Sequence, residues 1–124
     1  MNEESRLALR RWAEMFNEQE FFEAHEILEA PWLAAQEPDK TFLKGLIHAA
    51  VALYQYRRGN GHGARAKTLS CIRYLSPYRP RYRGVAVADL LGDLQCFMAA
   101  HLRQPDGAPP PPPPGPWPGA RQEG

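Results

Sequence analysis

The sequence predicts an all-α fold: a compact bundle of about five helices followed by a disordered or polyproline II C-terminal tail. Three observations lead there. Apolar residues recur at helical intervals through each long segment, and no alternating run marks a strand. The 13 prolines concentrate near the C-terminus, with residues 109–114 all proline. A chain of 124 residues has room for one core. The expected organisation is therefore a helical domain over 1–104 and a proline-rich tail over 105–124 that cannot pair its backbone regularly and has no core to join.

The first helix is expected over 3–16, with Asn2 as its cap, Glu3 and Glu4 in the first turn, and an apolar side of Leu9, Trp12, Ala13 and Phe16. Asn17 then reads as the cap of a second helix, with Glu20 as reciprocal partner. Phe21, Ala24, His25 and Leu28 follow at helical spacing, and Trp32 extends that face. Pro31 lacks an amide hydrogen and is expected to kink or end this helix. A third helix runs from Pro38 to about residue 58. Phe42, Leu46, Ala49, Ala50 and Leu53 form one stripe, and Leu43, Ile47 and Tyr54 form another, so this helix is expected at the centre. Gly59, Asn60 and Gly61 stop it. A fourth helix over 63–75 presents Leu69, Ile72 and Leu75. A fifth over 85–103 carries Val87, Leu90, Leu91, Leu94, Phe97 and Met98.

Charge is nearly balanced at +1 but unevenly spread. Residues 1–56 hold five basic and ten acidic side chains, a net −5, while residues 57–124 hold ten and four, a net +6. Residues 57–83 contain eight basic side chains and no acid. Such asymmetry suits an anionic partner, or pairing of the halves within one chain or between two. Cys71 and Cys96 lie in apolar helical patterns without CxxC spacing, and are read as reduced core residues of a cytoplasmic protein. No stretch is apolar enough for a membrane span.

The densest functional signal is in the second helix. His25 and Glu29 are four apart and Glu26 and Glu29 three apart, so each pair shares a surface strip. His25 interrupts an apolar face and needs partners for its ring nitrogens. If the second and third helices pack antiparallel, His48 could meet His25 over a pocket made by Glu23, His25, Glu26, Glu29, Trp32, Gly45 and His48. Within it, His25, Glu29 and His48 are candidate ligands for a divalent metal. The chain has neither the HExxH of zinc peptidases nor paired ExxH units, and no cofactor is required by the pattern. A buried His–Glu network that fixes helix register is the other use of the same residues.

Over residues 16–66 the chain resembles the family known as domain of unknown function 309 (DUF309). The resemblance rests on Phe16-Asn17, Phe22-Glu23-Ala24-His25-Glu26, Leu28-Glu29 and Trp32. It continues in Phe42, Gly45-Leu46-Ile47, Ala49, Ala52, Tyr54 and Arg57, then Gly59-Asn60 and Gly63-Ala64. It implies a compact helical fold, no established activity, and a shared pocket around His25-Glu26, Glu29, Trp32 and Gly45-Leu46-Ile47. The family usually has glycine where this chain has Gln19, which is expected to alter the turn before the second helix, and glutamine where it has His48. An amide at position 48 fits a hydrogen-bond network or ligand pocket better than a common two-histidine metal site.

Arg73, Arg79, Arg81, Tyr82 and Arg83 form a candidate surface for single-stranded nucleic acid or for a partner, since arginine contacts phosphate and tyrosine stacks on bases. The proline run could dock on an aromatic groove of a protein partner, and Trp117 could fold back on an apolar patch or fill a neighbouring subunit's groove. The function expected is binding or assembly, including homo-oligomer formation, through the His/Glu/Trp pocket. A metal-dependent hydrolase or oxidoreductase and a single-stranded nucleic-acid binder are the alternatives.

Overall fold

The computed structural model describes residues 1–122. Among them six α-helices follow one another: α1 (Glu3–Asn17), α2 (Phe21–Ile27), α3 (Glu29–Ala34), α4 (Asp39–Arg57), α5 (Gly61–Leu75) and α6 (Val87–Leu102), with a 3-10 turn at Ser76–Tyr78 after α5. The fold is an all-α bundle with the helical segments where periodicity puts them, the second being divided in two. None of the helices among the described residues is long and apolar enough to cross a membrane.

The division falls at Leu28, not at Pro31. A proline ring collides with the carbonyl four residues earlier and cannot donate to it. Here that residue is Ile27, where α2 ends. Pro31 itself sits in the first turn of α3, where a missing amide hydrogen costs nothing. Leu28 stays fully buried at the junction.

Asn2 caps α1 as expected, accepting from the Ser5 amide at 2.8 Å. Asn17 does not cap α2. It is the last residue of α1, and Glu20 precedes α2 with no side-chain cap bond. Between them Gln19 adopts φ 65°, the left-handed region that glycine occupies freely. The turn that glycine would make is thus kept with a side chain in place, and the Gln19 carbonyl accepts from Arg57 Nη1 at 2.7 Å.

Helix α4 is central. Phe42, Leu43, Leu46, Ile47, Ala49, Ala50 and Leu53 are all buried. Helix α5 folds back along it so closely that a methyl on Gly45 would stand 2.5 Å from Leu75 Cδ2. This proximity selects the buried strip of α5: Gly61, Ala64, Thr68, Cys71 and Leu75, mostly small residues. Leu69, expected inside, is 46% exposed because the larger side chain turns away from the tight seam. Thr68 is buried at no polar cost, its hydroxyl donating to the Ala64 carbonyl at 2.7 Å. Helix α6 closes the core with Val87, Leu90, Leu91, Leu94, Phe97 and Met98, and its His101 Nε2 donates to the Gly61 carbonyl at 2.9 Å.

The tail departs from expectation. Beyond Gln104 it packs on the same core as the helices, with Pro118 and Ala120 buried. The Trp117 ring stacks on Phe97 at 4.9 Å and lies 5.5 Å from Phe21 and 6.0 Å from Tyr56. Tyr56 Oη donates to the Pro111 carbonyl at 2.5 Å. Prolines need no backbone partners for amide hydrogens they lack, so the strap crosses the helices with its carbonyls and one large ring supplying the attachments. Val85 then makes a β-bridge with Gln122, and the Ala86 amide donates to the Arg121 carbonyl at 3.0 Å.

Candidate functional site

The expected pocket residues divide between two faces. On α2, His25 Nδ1 donates to the Phe22 carbonyl at 2.5 Å, which turns Nε2 toward Glu29 Oε1 at 3.7 Å. The ring also meets Phe22 edge-on at 4.9 Å, and Phe22 in turn lies 5.3 Å from Tyr54. Glu23, Glu26 and Glu29 are exposed. His25 and Glu29 are therefore neighbours at the solvent edge of the bundle rather than groups in a dry interior.

His48 points elsewhere. At about 100° per residue along α4, Arg57 is on the opposite side of the helix from His48, and it is Arg57 that lies over the α2 residue Phe21, at 5.0 Å. His48 instead meets Tyr74 of α5 edge-on at 5.4 Å. Its Nδ1 is buried without a hydrogen-bond partner. Burial, followed by the charges of Lys67, Lys44 and Arg73, pushes its pKa down to about 4. The ring is thus neutral at pH 7. The antiparallel meeting of His25 and His48 expected from sequence does not occur, because the second helix packs on the far side of α4. Among the described residues no three His, Cys, Asp or Glu side chains are placed to hold one metal ion.

Gly45 is a packing residue, forced by Leu75 and Tyr74. Trp32 is half-buried, its Nε1 has no hydrogen-bond partner, and Lys40 and Lys44 hold their ammonium groups 5.2 and 6.0 Å from the ring centre. Lys44 is also 5.0 Å from the centre of the Tyr74 ring, with Arg73 at 5.6 Å. Hydrogen bonding from Lys44, with the charges of Lys44 and Arg73, holds the Tyr74 phenol below its ordinary pKa. The composition of residues 57–83 hinted at this cationic strip, but Lys44 belongs to the acidic half and only the fold adds it.

The candidate surface at residues 73–83 is partly consumed. Tyr82 Oη donates to Asp39 Oδ1 at 2.7 Å, and Arg83 contacts both Asp39 oxygens at 3.1 Å. The N-terminal ammonium lies 3.8 Å from the same carboxylate. Burial would raise the Asp39 pKa, but these donors and charges leave it below the usual value. Arg79 turns back to the Ser76 carbonyl at 3.1 Å, and Arg81 is also engaged. Arg73 remains with the cationic strip. Of the two free thiols, burial pushes Cys71 up to about 12, which makes it inert. Cys96, expected in the core, is exposed. It lines a cleft of about 360 Å³ between α6 and the tail, with Asp93, Phe97 and Trp117.

These features define a small all-α domain with, among the described residues, no converged set of metal-ligating side chains. Residues 9–66, from within α1 to the start of α5, match the family described as Domain of unknown function (DUF309). Similar chains include an uncharacterized protein of Aquifex aeolicus (strain VF5), 30% identical over 81 residues that make up 64% of this chain and 24% of that one. Another is the uncharacterized protein YpuF of Bacillus subtilis (strain 168), 42% identical over 59 residues, 45% of this chain and 33% of that protein. The chain thus spans about a quarter to a third of these relatives. Its α6 and tail lie outside the family match.

Proposed function

We propose that the chain is a binding and assembly module whose aromatic groove receives an extended proline–tryptophan segment. Its own tail is the resident occupant, and the same segment of a second copy is the exchanging partner. The observation that carries this reading is the seat of Trp117 among Phe21, Tyr56 and Phe97, which come from α2, α4 and α6. The receptor surface thus lies wholly outside the segment it holds, as in recognition of proline-rich peptides by aromatic-lined grooves. That the matched stretch is a minor part of both longer relatives agrees with a domain that works beside other segments. In this reading His25, Glu29 and Trp32 act as surface and packing groups. A metal-dependent reaction would need a third ligand to join His25 and Glu29.

Docking within one chain acts at an effective concentration in the millimolar range, so exchange shows when the resident anchor is weakened. A fluorescent peptide of residues 108–122 is titrated into the full chain and into its Trp117→Ala variant. The variant should bind the peptide, and the wild type at least tenfold more weakly because its own tail competes. Equal binding to both, or none to either at millimolar peptide, overturns the proposal.

A further inference from the structure

The strip on α4 and α5 is a separate feature that tail docking leaves unexplained. Lys40, Lys44 and His48 are four residues apart along α4, and Lys67, Arg73 and Tyr74 come from α5. Lys44 bridges the rings of Trp32 and Tyr74, and Tyr74 is flanked by Lys44, Arg73 and His48. Every charged group that acts on His48 is a cation. Neither helix supplies a carboxylate beside Lys44, Lys67 and Arg73: α5 has no acidic residue and α4 has only Asp39, which Tyr82 and Arg83 hold, while Glu37 acts on Lys40 at the far end of the strip. Among the described residues, two of the three buried side-chain nitrogens that lack a hydrogen-bond partner, Trp32 Nε1 and His48 Nδ1, belong to residues of this strip. Like charges held together are unfavourable, and the same Lys44 and Arg73 hold the Tyr74 phenol below its ordinary pKa, the direction in which these cations act on any nearby oxygen.

We infer that the face formed by Lys44, His48, Lys67, Arg73 and Tyr74 is a binding site for a phosphate group. Phosphate suits it better than a carboxylate. It carries a charge of about −1.5 to −2 at neutral pH and three strong acceptor oxygens, enough for two ammonium groups and a guanidinium fork together. The neutral imidazole supplies one further donor without adding a fourth charge.

The test titrates the full chain at low salt with inorganic pyrophosphate, and separately with a short single-stranded oligonucleotide, following the ring signals of His48 and Tyr74 by NMR. Pyrophosphate should move both sets of signals. Lys67→Gln and Arg73→Gln should each weaken binding about tenfold, whereas Arg103→Gln, on the exposed end of the domain, should leave it unchanged. If the oligonucleotide displaces pyrophosphate the site takes a nucleic-acid phosphate. If pyrophosphate alone binds, it takes a small free phosphate compound, and either outcome upholds the site. Unmoved ring signals with both probes, or an equal loss in all three variants, overturns it.

Discussion

Asn17 and Ala120 face each other through two hydrogen bonds, Asn17 Nδ2 donating to the Ala120 carbonyl at 2.8 Å and the Ala120 amide donating to Asn17 Oδ1 at 2.7 Å. A side-chain amide at the end of α1 thereby imitates a neighbouring strand and fixes the last part of the tail. Asn17→Ala removes both bonds, at a cost of about 1 kcal/mol each. Urea denaturation should show the chain destabilised by about 1–2 kcal/mol, and hydrogen exchange should show the Ala120 amide losing protection. An Ala120 amide equally protected in the variant would mean that the clamp does not hold the tail.

Gln19 pays for its left-handed backbone, a conformation that costs a residue with a Cβ roughly 1–2 kcal/mol. Its bond to Arg57 runs through the main-chain carbonyl and survives substitution. Gln19→Gly should therefore stabilise the domain, by about 1 kcal/mol once the extra freedom of glycine in the unfolded chain is subtracted. Thermal denaturation reads this directly, and a lower melting temperature would contradict the strain.

How much of this was legible depends on range. The apolar spacing of α4 and α6 and the Asn2 cap are local, and the structure keeps them. Asn17 and Trp117 owe their roles to partners about a hundred positions away, which no local pattern encodes. The exposure of Leu69 is not legible, because apolarity alone does not reveal that a tight helix seam prefers Ala64, Thr68 and Cys71. The face of His48 is not legible, because a short connection between helices fixes their proximity but not which side of α4 each neighbour covers. The residues of the DUF309 resemblance are readable as they stand, whereas the left-handed turn kept at Gln19 is not.

His48 makes stability depend on pH. Its pKa falls from 6.5 to about 4 in the folded chain. The unfolded chain therefore takes up a proton that the folded chain refuses. The stabilisation is complete above pH 6.5 and is lost as pH falls toward 4. Solvent screening of the half-buried ring reduces the effect to roughly 1 kcal/mol. His48→Gln should flatten this part of the stability profile, and a slope as steep in the variant as in the wild type would assign it to other groups.

Gly61 begins α5 beneath the turn that leads into the tail. A Cβ there would collide with the Ala108 carbonyl, a main-chain atom that cannot rotate away. Gly61→Ala should cost about 1–3 kcal/mol and raise hydrogen exchange along the tail. Unchanged stability would mean that the segment at Ala108 is not seated on α5.

Whether the tail is held in the aromatic groove is read from Trp117. In the intact chain its indole protons should show nuclear Overhauser contacts to the rings of Phe97 and Phe21, with upfield shifts from the 4.9 Å stack and backbone relaxation as slow as that of α6. Random-coil shifts and fast local motion at Trp117, without contacts to either ring, would contradict the account.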